Sequence, residues 1–120
     1  MTEFKGFCHC GAVQVTASRI PSEVLLCNCS LCAKTGWEGV YFSSDELTIS
    51  GEVHGYTRSD LATPYLTVFR CATCGIGTHW EPITPPPHAR MGVNARLFDP
   101  ALLAGATRTQ VDGRSWPTDA

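Results

Sequence analysis

Short runs of alternating apolar and polar residues, separated by turn-forming residues, predict a protein assembled from strands. Phe4 to Phe7 is the first candidate, and in the second Val13 and Val15 alternate with Gln14 and Thr16. The two form a hairpin around Cys8-His9-Cys10-Gly11, where Gly11 is free to take the positive φ that such a turn needs. Val24-Leu25-Leu26, Val40-Tyr41-Phe42, Leu47 to Gly51, Val53 to Arg58, Tyr65 to Phe69, Ile76 to Trp80 and Arg90 to Leu97 continue the series. Many short strands with turn signals between them point to a mainly β protein, a sandwich with few short helical turns.

Three segments break the strand pattern. Ser30 is read as the cap of a helical turn ending near Gly36, and Ser43-Ser44-Asp45-Glu46 has the spacing of a capping box. Asp99-Pro100-Ala101-Leu102-Leu103-Ala104-Gly105 carries an N-cap, a proline at the first helical position and a terminating glycine, so one short helix is expected there. Pro85-Pro86-Pro87 cannot supply ladder donors and is read as a loop. After Gly105 the residues become small and polar, with Trp116 the only large apolar side chain. The expected organisation is therefore one domain over residues 1–105 and a draped or disordered tail over 106–120.

Composition narrows the function. A chain of 120 residues, 43% of them hydrophobic, can bury one modest core and stands near the size at which metals supplement packing. A net charge of -2, a pI near 6.0 and the lack of any Lys/Arg run argue against a nucleic-acid or anionic-membrane partner. No stretch reaches the roughly 20 apolar residues that span a bilayer, and Met1 to Gly6 leads into Cys8 without an apolar targeting region. A soluble, cytoplasmic protein is expected. In that reducing compartment, seven cysteines in three clusters read as metal ligands rather than disulfides.

The cysteines divide by spacing. Cys8-x-Cys10-Gly11 and Cys71-x-x-Cys74-Gly75 are two glycine-terminated turns whose four thiolates satisfy the tetrahedral shell of a structural zinc. Cys27, Cys29 and Cys32 remain, three ligands with no fourth cysteine, which is the count of a zinc site with one open position. Such a site is a mild Lewis acid suited to a soft incoming thiol, which a metal would deprotonate into a nucleophile. Other divisions stay open at this level: one zinc shared among any four cysteines, or a trio completed by His9, His54, His79 or His88.

The blocks Cys8-x-Cys10-Gly11-x-Val13, Cys27-x-Cys29-Ser30-x-Cys32, Ser50-Gly51-Glu52 with Tyr56, Cys71-x-x-Cys74-Gly75 and Val93-Asn94-x-Arg96-Leu97-x-Asp99 resemble the glutathione-dependent formaldehyde-activating enzyme family, which includes the centromere protein V type. The resemblance spans about residues 4 to 100. It implies an Mss4-like β fold with a structural zinc on Cys8, Cys10, Cys71 and Cys74. It further implies a second zinc on Cys27, Cys29 and Cys32 beside a glutathione co-substrate. The implied activity is a carbon-sulfur lyase reaction run toward S-hydroxymethylglutathione. Lys34, Arg58, Arg90 and Arg96 are candidate partners for the carboxylates of that small thiol, and Trp37, Tyr41 and Trp80 candidate walls of its pocket. The rival class is a non-enzymatic binding module, a zinc-stapled sheet holding a peptide or protein; a redox sensor built on the three-cysteine loop is a third reading.

Overall fold

The structure, a computed structural model, describes residues 3–64, 66–83 and 90–115. Strands β1 (Phe4–Phe7), β2 (Gln14–Ala17) and β5 (Leu47–Ser50) form an antiparallel three-stranded sheet in the order β1-β2-β5. The larger sheet contains β3 (Glu23–Cys27), β4 (Gly39–Ser43), β6 (Val53–Thr57), β7 (Leu66–Cys71), β8 (Gly77–Pro82), β9 (Arg90–Asn94) and β10 (Thr107–Val111). Its order is β10-β3-β4-β9-β8-β7-β6, with β10 parallel to β3 and the remaining pairs antiparallel. A six-residue helix, α1 (Ser30–Thr35), and four short 3-10 turns complete the described chain. The mainly β sandwich expected from the sequence is the architecture found.

Strand alternation builds the core. Val15 and Ala17 of the small sheet meet Val24, Val40, Phe42 and Val93 of the large one, and Leu97, Phe98 and Leu103 from the later turns close the end. A smaller cluster of Cys8, Val13 and Cys71, packed by Ile49 and Val53, joins the two sheets near the cysteine turns. Among the described residues no third sheet covers the other face of the large sheet.

Three expectations are corrected. Residues 106–120 are not a loose tail throughout, because Thr107–Val111 adds a parallel edge strand to β3. Here Thr109 donates from Oγ1 to Glu23 Oε2 at 2.8 Å, and Arg108 pairs with Glu38. The strand expected from Arg90 to Leu97 ends at Asn94, whose Oδ1 accepts the Arg96 amide at 3.1 Å and turns Ala95–Leu97 into a 3-10 turn. The helix expected from Asp99 to Gly105 is a 3-10 turn over Pro100–Leu103, capped by Asp99 as anticipated. Tyr65, Pro85 to Pro87, His88 and Trp116 lie outside the described residues.

Glycines on β4, β8 and β9 decide what stands on the open face. In the cross-strand row, Tyr41 of β4 and Trp80 of β8 both pair with Gly92 of β9, and Val68 of β7 pairs with Trp80. The Trp80 indole lies against Gly92; a Cβ there would stand 1.8 Å from its Nε1. With that space granted, the Tyr41 and Trp80 rings meet edge to face at 6.0 Å across the glycine. Gly77 similarly admits the Trp37 ring, whose Cζ3 would be 3.0 Å from an added Cβ, and Gly39 lies under the Tyr41 hydroxyl.

Two outcomes follow for stability. Gly92→Ala must displace Trp80 and is expected to cost about 1–3 kcal/mol, read as a lowered midpoint in urea unfolding. The second concerns Glu46, which accepts from Arg19 Nε at 2.7 Å and from the Ser43 amide at 2.8 Å. Arg19 first and Ser43 second hold its carboxyl down to about 2. A folded value below the unfolded one, about 4.3, gives stability that is present above the unfolded value and lost as pH falls from it toward 2. Glu46→Gln is expected to lower the urea midpoint at pH 7 and to flatten its decline between pH 5 and pH 3.

Candidate metal centres

The two glycine-terminated turns fold alike. The Cys8 amide donates to the Val13 carbonyl at 3.1 Å and the Gly11 amide to the Cys8 carbonyl at 3.1 Å. At the other turn the Cys71 amide donates to Ile76 at 2.9 Å and the Gly75 amide to Cys71 at 3.0 Å. Gly11 and Gly75 take φ of 83° and 79°, the left-handed conformation that closes each turn. The folded turns aim amides at sulfur: Val13 N donates to Cys8 Sγ at 3.2 Å, and Thr73 N and Cys74 N to Cys71 Sγ at 3.3 and 3.4 Å.

These turns bring Cys8, Cys10, Cys71 and Cys74 together, with all four sulfurs within 4.8 Å of one another. Cys8 and Cys71 are 3.7 Å from Cys10, too long for a disulfide. That spacing matches the edge of about 3.8 Å between sulfurs placed tetrahedrally at about 2.3 Å from zinc. The thiols also respond as a crowded donor set. The Ile76 amide first, with the Cys10 amide, pulls Cys74 down to about 6. The Ala12 amide pulls Cys10 down too, but desolvation and the thiols of Cys71, Cys8 and Cys74 outweigh it and push Cys10 up to about 11. Four thiolates in this volume would repel one another, so the donor set suits a metal cation.

The trio is built on the end of β3 and the start of α1. Cys27 is the last residue of β3, and Cys29 rather than Ser30 is the N-cap of the helix, accepting the Cys32 amide on Sγ at 3.4 Å. Gly36 ends the helix with φ of 72°. One turn thus places Cys27, Cys29 and Cys32 with their sulfurs within 4.8 Å. Desolvation opposes ionisation of Cys29, but the Cys32 amide and the neighbouring thiols outweigh it and lower the Cys29 thiol. Burial and Cys29 raise the Cys32 thiol. Among the described residues no histidine joins either cluster. Both ring nitrogens of His79 are occupied, by Thr78 Oγ1 at 3.0 Å and Glu81 Oε2 at 2.9 Å. His88 lies outside the described residues.

The trio opens onto a cavity of about 600 Å³. Of the candidate wall and carboxylate-binding residues, Trp37, Tyr41, Trp80, Arg58 and Arg90 line it; Lys34 and Arg96 do not. Arg58 is paired with Asp60 and donates to Ser30 Oγ at 3.4 Å, so it pins the first turn of α1. Arg96 is held by Glu38 at 2.7 Å. The Arg90 guanidinium stands 4.1 Å above the Tyr41 ring.

Residues that support the trio escaped the sequence reading. Asn28 Nδ2 donates to Asp112 Oδ1 at 3.0 Å, Asn28 Oδ1 accepts the Arg114 amide at 2.8 Å, and the Asn28 amide donates to the Val111 carbonyl at 3.1 Å. The three-cysteine loop is therefore tied to the end of β10. The alternation Thr107-x-Thr109-x-Val111 was the signal that could have revealed this strand.

A β-sandwich with two cysteine clusters that could each hold a metal ion, one beside a cavity, defines the class. Its particular family follows from comparison: residues 3–111 match the model described as glutathione-dependent formaldehyde-activating enzyme, and the chain belongs to that family. A crystal structure of a Rhodobacter sphaeroides protein, a structural-genomics target, is similar at 25% identity with a TM-score of 0.66, covering 88% of this chain and 99% of that one. A comparison with curated proteins gives no match. Among the described residues no helix is long and apolar enough to cross a membrane.

If Asn28 holds the trio in register, Asn28→Ala is expected to weaken metal binding at Cys27, Cys29 and Cys32 about 10–100-fold. Retention at the four-cysteine cluster is the internal control. Chelator competition with metal counting by native mass spectrometry reads both.

Proposed function

We propose that this protein joins glutathione to a small aldehyde, formaldehyde being the simplest, to give an S-hydroxyalkylglutathione, in the manner of a carbon-sulfur lyase acting in reverse. The observation that carries the reading is the three-thiol cluster opening onto a cavity in a chain of this family. In it, Cys8, Cys10, Cys71 and Cys74 would hold a structural zinc, and Cys27, Cys29 and Cys32 a second zinc with one ligand position left for a thiol. A zinc at the trio supplies the positive charge that lowers the pKa of an incoming thiol.

The chain's own residues do the rest. The amides that donate to Cys27 and Cys29 orient those sulfurs and spread their charge. Arg58 fixes α1 through Ser30, so the trio presents a rigid rim. Arg90, at the cavity edge over Tyr41, is the cation placed to receive a glutathione carboxylate. Trp37 and Trp80 exclude water from the sulfur and carbonyl carbon, which favours addition by holding the two reactants together.

Zinc-loaded protein is expected to accelerate exchange between glutathione, formaldehyde and S-hydroxymethylglutathione, measured by NMR exchange spectroscopy. A rate equal to the protein-free reaction would sink the proposal and return the non-enzymatic binding module. Native mass spectrometry should count two zinc ions per chain and one in Cys29→Ser, whose exchange rate should fall to background. Arg90→Ala is expected to raise the KM for glutathione about tenfold, the loss of one charged hydrogen bond, with a smaller effect on kcat.

A further inference from the structure

The cavity is larger and less polar than a hydroxymethyl group needs. Around the trio its wall is made by Leu25, Leu61, Leu66 and Val68 together with the rings of Trp37 and Trp80. Glutathione carries two carboxylates and an ammonium, and burying any of them against this wall would leave a charge without a partner. Of the two cations among the described lining residues, Arg58 is paired with Asp60, and Arg90 is exposed. The charged parts of glutathione therefore belong at the Arg90 side, which leaves the apolar volume next to the reacting sulfur.

That volume is built rather than incidental. Trp80 can occupy its place only because Gly92 lacks a Cβ, which would stand 1.8 Å from its Nε1, and Trp37 rests against Gly77, where a Cβ would stand 3.0 Å from its Cζ3. Three strands thus give up side chains on the cavity face to seat aromatic rings, and Val68 continues the Tyr41-Gly92-Trp80 row.

We propose that the cavity takes the apolar body of an aldehyde larger than formaldehyde, an aromatic or branched aliphatic one, so that the product is a hemithioacetal whose side group lies between Trp37, Trp80 and Val68. In the reaction the thiol sulfur bonds to the carbonyl carbon, the C=O double bond becomes a C–O single bond, and the thiol proton ends on that oxygen. No electrons are gained or lost and no further reactant is needed. The inference rests on the glutathione reading above and adds the class of aldehyde.

Stable thioethers separate the two readings. Isothermal titration of the zinc-loaded protein with S-benzylglutathione and S-methylglutathione is expected to show the benzyl compound binding at least about tenfold tighter, as burial of a phenyl ring provides. Quenching of tryptophan fluorescence by the benzyl compound alone would place the ring against Trp37 and Trp80. Equal affinities would overturn the inference and leave the glutathione reading standing. Binding of neither compound would also overturn it, and the formaldehyde exchange assay then decides the glutathione reading by itself. Val68→Trp, which fills the cavity, is expected to abolish the benzyl advantage; its persistence in a folded variant would put the benzyl group elsewhere and sink the proposal. As a measurement free of variants, benzaldehyde should exchange with glutathione on the wild-type protein with a kcat/KM at least tenfold above that for formaldehyde, and the reverse order would contradict it.

Discussion

Four sulfur atoms meet within 4.8 Å although the two turns that carry them are far apart in sequence, Cys10 and Cys71 being separated by 61 positions. If all four were ionised they would repel one another, so the donor set suits a cation held at its centre. Structural zinc in small peptides is worth about 10–16 kcal/mol of apparent free energy, comparable to the entire stability of a small domain. The cluster sits where the two sheets join, against Val13 and Ile49. With that ion in place, the hairpin of β1 and β2 and the hairpin of β7 and β8 are tied together, and the small sheet is set over the large one.

The second cluster is positioned by the large sheet. Cys27 ends β3, an inner strand whose position is set by β4 on one side and β10 on the other. Strand alternation sends Val24 into the core and Leu25 and Cys27 to the opposite face, so the interior of the sandwich and the wall of the cavity are two sides of one strand. The same division holds on β4, where Val40 and Phe42 are buried in the core and Tyr41 faces the cavity. Packing on one face thus fixes chemistry on the other.

Support for the trio comes from positions with no chemistry of their own. Glycines at 39, 77 and 92 give aromatic rings room on the sheet, and Asn28 hooks the cysteine loop to residues that follow β10. Glu38 gathers Arg96 and Arg108, which joins the end of β9 to β10 on the same side of the molecule. A change at any of these would reach the sulfurs indirectly, through the angle of a strand or the seat of a ring.

Most strands were legible in the sequence because apolar residues with period two and glycine or cysteine turns are local signals. The two cysteine groupings were legible for the same reason, since CxC, CxxC and a trailing glycine specify a turn that folds on itself. Three things required the tertiary structure. Thr107–Val111 carries a weak alternation, but its parallel pairing with the edge of β3 is not a local property. Asn94 ended β9 early by accepting the Arg96 amide while donating to the Gly77 carbonyl at 2.9 Å on a neighbouring strand. The cavity and its apolar wall arise from strands distant in sequence lying side by side, and a glycine reads as a turn residue until the ring above it is seen. Sequence alone determined which residues can bind and turn, because those properties belong to single residues and their near neighbours. Which face they occupy, and what room lies beside them, was decided by strand pairing, which is a property of the whole sheet.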